Sequence, residues 1–205
     1  MFNLAQNYYK IKNSEVTIIP NGVKVPKLFR ERNFEISNGI EIVFYNGLDT
    51  SRERGLNKLI KVITKINNNR IHLSILGHST KIDYVSATFY DPMNEELLSN
   101  FLLTKHVFID NLDYMPFSIL ALESMALGLV PIVSDKSGLA SFINNGKNGF
   151  VYNSKNPVEI CDILNDILIE KFDLEQISAN AKNIFKQLNW ENVARQYDIT
   201  YRSIV

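Results

Sequence analysis

Short apolar runs alternate with amphipathic segments from about residue 41 onward, and this alternation is the strongest pattern in the chain. Glu41-Ile42-Val43-Phe44-Tyr45, closing on Asn46-Gly47, has the length and side chains of a buried strand. So do Ile71–Leu76 ending at Gly77, Ala87–Tyr90, Val107-Phe108-Ile109, Val130–Ser134 and Gly149–Tyr152. An earlier β-branched run, Val16–Pro20, reads as a further strand ahead of the turn Pro20-Asn21-Gly22-Val23. Between the runs lie helical periods. Gly55–Asn67 places Leu56, Leu59, Ile60, Ile63 and Ile66 on one face, and Glu95–Leu103 and Pro116–Leu127 follow. Leu139–Asn145 is a short helical segment. Three helices close the chain: Pro157–Ile169 with Asn156 as cap, Leu174–Leu188, and Trp190 to about Ser203.

Strands that alternate with helices require right-handed crossovers. The expected fold class is therefore α/β: one Rossmann-like, doubly wound parallel sheet of roughly five or six strands with helices on both faces. Residues 1–15 read as a polar N-terminal segment with scattered aromatics, residues 16–205 as one domain, and residues 24–38 as a charged connector within it. No internal repeat or low-complexity stretch interrupts the domain.

The central stretch, His106 to Gly138, runs strand, loop, helix, strand, loop, and ligands of such sheets bind where loops leave the carboxyl ends of strands. The amides of Phe117, Ser118 and Ile119 open one helix, and those of Ser137, Gly138 and Leu139 open the next. Unpaired amides and the helix dipole suit a phosphate group. Glu123, two turns into the expected helix, could hold a ribose diol bound past the anion. The plainer alternative is an ordinary helix start and a solvated glutamate.

Composition narrows the classes. The chain has 205 residues, 45% hydrophobic, with 22 basic and 22 acidic side chains, so it lacks the basic bias that would point to nucleic acid. Cys161 is the single cysteine, which excludes an intrachain disulfide and agrees with a reducing cytoplasmic location. It lies on the apolar side of a helix and reads as a small buried hydrophobe. No run is long enough for a membrane span and Met1-Phe2-Asn3-Leu4 has no signal-peptide pattern, while peripheral membrane contact stays compatible. His72, His78 and His106 are not at ligand spacing, so no metal site is expected.

Leu122-Glu123-Ser124-Met125-Ala126-Leu127-Gly128, followed by Pro131-Ile132-Val133, resembles the donor-site signature of retaining glycosyltransferases of the GT-B fold, family 4. Asn145-Gly146-Lys147-Asn148-Gly149-Phe150-Val151 is similar to a second family string, and Ile19-Pro20-Asn21-Gly22-Val23 to the start of the family's second Rossmann-like domain. Asn189-Trp190-Glu191-Asn192-Val193-Ala194 resembles the family's terminal helix, which crosses back to the other domain in full enzymes. The resemblance implies the equivalent of the C-terminal, donor-binding half of such an enzyme.

Residue by residue, the implied ribose contact falls on Glu123. The family's sugar-proximal glutamate falls on Met115, its glycine on Ser118, and a third glutamate on Ser141. Of the two cations that hold the donor diphosphate, Arg54 before Gly55 matches the second, while Leu48 takes the place of the first, with Arg52 a substitute from the same loop. Asp113 could serve for the missing acid if its loop is re-routed, and Tyr90 could stack on the base or be an exposed edge aromatic.

The implied catalytic pair is Arg54 and Glu123, and the donor-contacting set is Gly47, Arg52, Phe117, Ser118, Ile119, Glu123, Ser137, Gly138 and Leu139. The implied activity is transfer of a hexosyl unit from a UDP- or GDP-sugar with retention, with no metal or other cofactor and possibly with a separate acceptor-domain protein as partner. The second reading is a binding or scaffold protein that keeps the fold without turnover. A dinucleotide oxidoreductase is disfavoured, because no Gly-x-Gly-x-x-Gly follows the first strand.

Overall fold

Six apolar runs form strands: β1 (Ile40–Gly47), β2 (Ile71–Gly77), β3 (Ala87–Tyr90), β4 (Val107–Ile109), β5 (Val130–Ser134) and β6 (Phe150–Tyr152). They make one sheet in the order β3-β2-β1-β4-β5-β6, and every neighbouring pair is parallel. The computed structural model describes residues 16–24, 34–47, 55–66, 68–77, 87–110, 112 and 116–203. The expected α/β doubly wound sheet is present, with the chain winding outward in both directions from the β1/β4 pair.

The helices are α1 (Leu56–Ile63), α2 (Glu95–Leu103), α3 (Ile119–Ala126), α4 (Glu159–Leu168), α5 (Leu174–Lys182), α6 (Ile184–Leu188) and α7 (Trp190–Arg202), with a 3-10 turn at Gly138–Phe142. Alternation along the strands divides the core between two faces. Ile40, Ile42, Phe44, Val107, Ile109 and Ile132 pack with Leu59 and Ile63 of α1 and Ile160, Leu164 and Ile167 of α4. Val43, Phe108 and Val133 face the other way, onto Leu102 of α2, Ala121, Leu122 and Met125 of α3, Ala181 of α5 and Leu188 of α6. Cys161 is buried as expected, its thiol donating to the Val62 carbonyl at 3.1 Å, and burial pushes its pKa up.

Several sequence expectations are corrected. Val16–Pro20 is not a strand: the sheet ends at β3 and β6, Ile18 is 71% exposed, and the only pairing nearby is the bridge of Val23 with Asn189 among the described residues. The helix expected over Leu174–Leu188 is two helices that meet at Asn183, whose amide bonds the carbonyl three residues back and whose side chain bonds Ala179. Asparagine competes for backbone partners in this way inside helices. Helix α4 begins at Glu159 with Val158 in the cap position, because Asn156 spends its side chain on Glu159. Leu139–Asn145 is a 3-10 turn that ends at Phe142.

The Ser124 hydroxyl in α3 is fully buried and has no hydrogen-bond partner. Such a group loses water without compensation. Ser124→Ala is expected to raise stability by about 1 kcal/mol, read as a higher urea midpoint at unchanged slope; a lower midpoint would show that the hydroxyl contributes favourably.

Candidate functional site

The direction of strand order reverses between β1 and β4, and in sheets of this kind ligands bind beyond the carboxyl ends of the strands at that point. Gly47 ends β1 there, and Asp110 directly follows β4. Among the described residues, three close approaches bring the segments around these strand ends together. A side-chain carbon on Gly55, just before α1, would stand 2.7 Å from Leu112 Cβ, which places the start of α1 on the β4–α3 loop. A carbon on Gly138 would stand 2.1 Å from the Pro116 carbonyl oxygen, which places the β5 turn on the other side of that loop. Phe117 and Phe142 add an edge-to-face ring contact at 6.4 Å.

Helix α3 starts at Ile119, later than Pro116, because buried Ser118 is its cap and accepts the Ala121 amide at 3.2 Å. Among the described residues, the amides of Phe117, Ser118 and Ile119 make no hydrogen bond to the protein. They are the open donors expected of a helix start. The second cluster is smaller than expected. Ser137 donates its amide to Ser134, and Leu139 donates to the Ser137 hydroxyl, which leaves Gly138 as the open amide of the three.

Glu123 sits just over one turn past Ser118 on α3. Its neighbours on α3, Leu122 and Ser124, are buried while it is exposed. Partial desolvation raises its carboxyl pKa, Glu95 raises it further, and Lys24 opposes them. Lys24 and Glu95 are themselves an exposed pair at 3.1 Å, tying residues 16–24 to the first turn of α2. Glu123 thus feels charges carried by the segment at Lys24 and by α2.

Arg52, Arg54, Leu48, Met115, Asp113 and His78 lie outside the described residues. Tyr90 is half-buried, its ring 4.6 Å from Phe101 and 5.9 Å from the Lys105 ammonium, so it packs on α2 instead of standing free at the edge. Ser141 donates to the Gly138 carbonyl at 3.0 Å and supports its own turn. His72 bonds Asn38, and His106 accepts the Glu41 amide through Nδ1, both structural roles. Sequence reasoning missed Asp110, Glu95 and Lys24. The signal for Asp110 was present: a charged residue that directly ends the apolar run Val107-Phe108-Ile109.

Known proteins share this architecture. The family model for glycosyl transferases group 1 matches residues 28–184. An uncharacterised glycosyltransferase of Methanocaldococcus jannaschii is 26% identical over 218 residues, covering 95% of this chain and 55% of that protein. Among solved structures, sucrose-phosphate synthase of Thermosynechococcus elongatus superposes with a TM-score of 0.76 at 20% identity, over 99% of this chain and 56% of that one. HepE of Anabaena, in complex with UDP-glucose, gives 0.74 at 14% identity over 98% of this chain and 61% of that one. The chain therefore spans between half and two thirds of the length of these relatives. Among the described residues, no helix is long and apolar enough to cross a membrane. With the sheet order, the open amides at its reversal and a family match over most of its length, this chain belongs to the glycosyl transferases group 1 family.

Proposed function

We propose that this chain is the donor-binding part of a retaining glycosyltransferase that takes a hexosyl unit from a UDP- or GDP-sugar. The observation that supports the reading is that the amides of Phe117, Ser118, Ile119 and Gly138 have no protein partner among the described residues near the reversal of strand order, with Glu123 further along α3. Amides aimed at a diphosphate stabilise the charge that develops on it as the sugar departs. Arg54, next to Gly55 in sequence, supplies a fixed positive charge to the same leaving group, so no metal or other cofactor is invoked. The Glu123 carboxylate accepts two hydrogen bonds from the ribose diol. HepE, a structural relative, is known in complexes with UDP-glucose and with UDP, which supports a uridine nucleotide as the first donor to test.

A second reading is favoured by one observation: Met115 and Ser141 stand where the family resemblance places glutamates. On that reading the domain is a binding or scaffold protein that keeps the fold without turnover, whereas on the first it can act as a split enzyme with an acceptor domain supplied by another protein.

Titration calorimetry with UDP and GDP tests both. Saturable binding of one of them is expected, weakened in Glu123→Ala by about 1 to 3 kcal/mol, the range of hydrogen bonds to a charged group. No heat with either nucleotide would reject the donor site. Donor turnover by this chain with an acceptor-domain protein, and none without it, would favour the split enzyme; turnover by this chain alone would rule that form out.

A further inference from the structure

Asp110 is 3% exposed, directly follows β4, and lies at the point where the sheet order reverses. A carboxylate at such a site loses hydration that an apolar strand end would not need. Two of its bonds reach β5 and the turn that follows it. The Asp110 amide donates to the Ile132 carbonyl of β5 at 3.0 Å, and Oδ2 accepts the Ser137 hydroxyl proton at 3.2 Å. The same hydroxyl oxygen accepts the Leu139 amide at 3.3 Å. An Asp110 carboxylate can only accept, so the Ser137 proton goes to it while the hydroxyl oxygen takes the Leu139 amide. The direction of the chain is fixed from Leu139 through Ser137 to Asp110.

One residue further on, Gly138 rests on the Pro116 carbonyl, immediately before the open amides of Phe117, Ser118 and Ile119. The β5 turn is thus tied to the end of β4 through Asp110 and meets the β4–α3 loop at the close approach of Gly138 to Pro116. We propose that Asp110 is a positioning residue for donor binding: through Ser137 it holds the Gly138 amide in register with the amides that precede α3. Asp110 itself does not touch the donor; it acts through the turn it anchors. The inference rests on the donor-site reading above and adds to it the residue that sets the spacing of the crevice wall.

The test is UDP titration of the wild-type chain and of Asp110→Asn, Asp110→Leu, Ser137→Ala and the Asp110→Leu/Ser137→Ala double variant. Each titration is run well below that variant's thermal midpoint, so that only folded protein is compared. Asp110→Leu and Ser137→Ala should each lose about tenfold or more in affinity, as misplacement of a binding group by a fraction of an ångström does. Asp110→Asn keeps an oxygen that accepts the Ser137 proton and should stay within about threefold of wild type. The double variant should be no weaker than the worse single one, because both remove the same link. Wild-type affinity in Asp110→Leu and Ser137→Ala would overturn the inference, and so would fully additive losses. If Asp110→Leu does not fold, Ser137→Ala against Asp110→Asn decides alone. Wild-type protein that binds no nucleotide would sink the donor-site reading itself, whereas wild-type binding with undiminished variants would sink only the role of Asp110.

Discussion

Gly138→Ala is expected to cost about 2 to 3 kcal/mol of folding stability, the upper range for forcing one carbon into a packed site, and to lower nucleotide affinity as well. The new carbon would stand 2.1 Å from the Pro116 carbonyl oxygen and 3.2 Å from Phe117 Cδ2. The first of these is backbone, which cannot rotate out of the way, so the β5 turn or the β4–α3 loop must move by about an ångström. Both carry the open amides, so the displacement that relieves the clash also spoils the site. Gly146→Ala provides the control. Its φ of 71° makes alanine strained by about 1 to 2 kcal/mol, but the nearest atom to the added carbon is 3.5 Å away on Phe172, which is on neither segment that carries the amides. Urea unfolding and UDP titration of the two variants should therefore separate: both lose stability, and only Gly138→Ala loses binding. Equal binding losses would mean that the contact of Gly138 with Pro116 has no bearing on the crevice.

Acidification is the second large effect. A protonated Glu123 donates one hydrogen and no longer offers two strong acceptors to a diol, so nucleotide affinity should fall as pH falls through its pKa. That pKa is raised, by partial desolvation first and by Glu95 second, so the midpoint should lie above the ordinary carboxylate value of 4.5. Glu95→Gln should move the midpoint down, and Lys24→Met should move it up, because Lys24 favours the ionised form. Stability runs in the opposite sense. Ionising Glu123 is harder in the folded chain than in the unfolded one, so its charge disfavours folding above the raised pKa, and that penalty fades as pH falls toward the unfolded value. Glu123→Gln should therefore melt at or slightly above the wild-type temperature at neutral pH, with the difference vanishing in acid, while its nucleotide affinity is reduced and no longer follows this titration. A variant that melts lower at neutral pH would show that the carboxylate is held by favourable contacts instead.

Most of the architecture was legible in the order of residues. Runs such as Val130–Ser134 are buried on both faces of a parallel sheet, and such runs are hard to mistake when helical periods separate them. Glu95–Leu103 was placed to the residue, because Asn94 before it accepts the Leu97 amide and Thr104 after it closes the last turn. The errors fell where a local pattern lacked a tertiary partner. Val16–Pro20 has strand-like side chains and no neighbouring edge to pair with, and Leu174–Leu188 has a helical period that Asn183 interrupts.

For the candidate site, the motif around Glu123 lies on α3, and the amides before it make no hydrogen bond to the protein among the described residues. Which amides of the second cluster stay open depends on hydrogen bonds made by Ser134 and Ser137, and no spacing rule reports those. Nor could sequence position reveal that Lys24, Glu95 and Glu123 act on one another across 71 and 28 residues of chain, or that Asp110 meets a hydroxyl 27 residues away.

The sequence by itself determined the alternation of strands and helices, the two-faced core and the family of the fold, because each follows from side chains within one or two turns of one another. The tertiary structure alone decided the spacing of the two loop-to-helix junctions, the identity of their free donors and the charge environment of Glu123. Those properties depend on distances between elements remote along the chain, and such distances exist only once the sheet has assembled and the loops at its carboxyl edge have packed against each other.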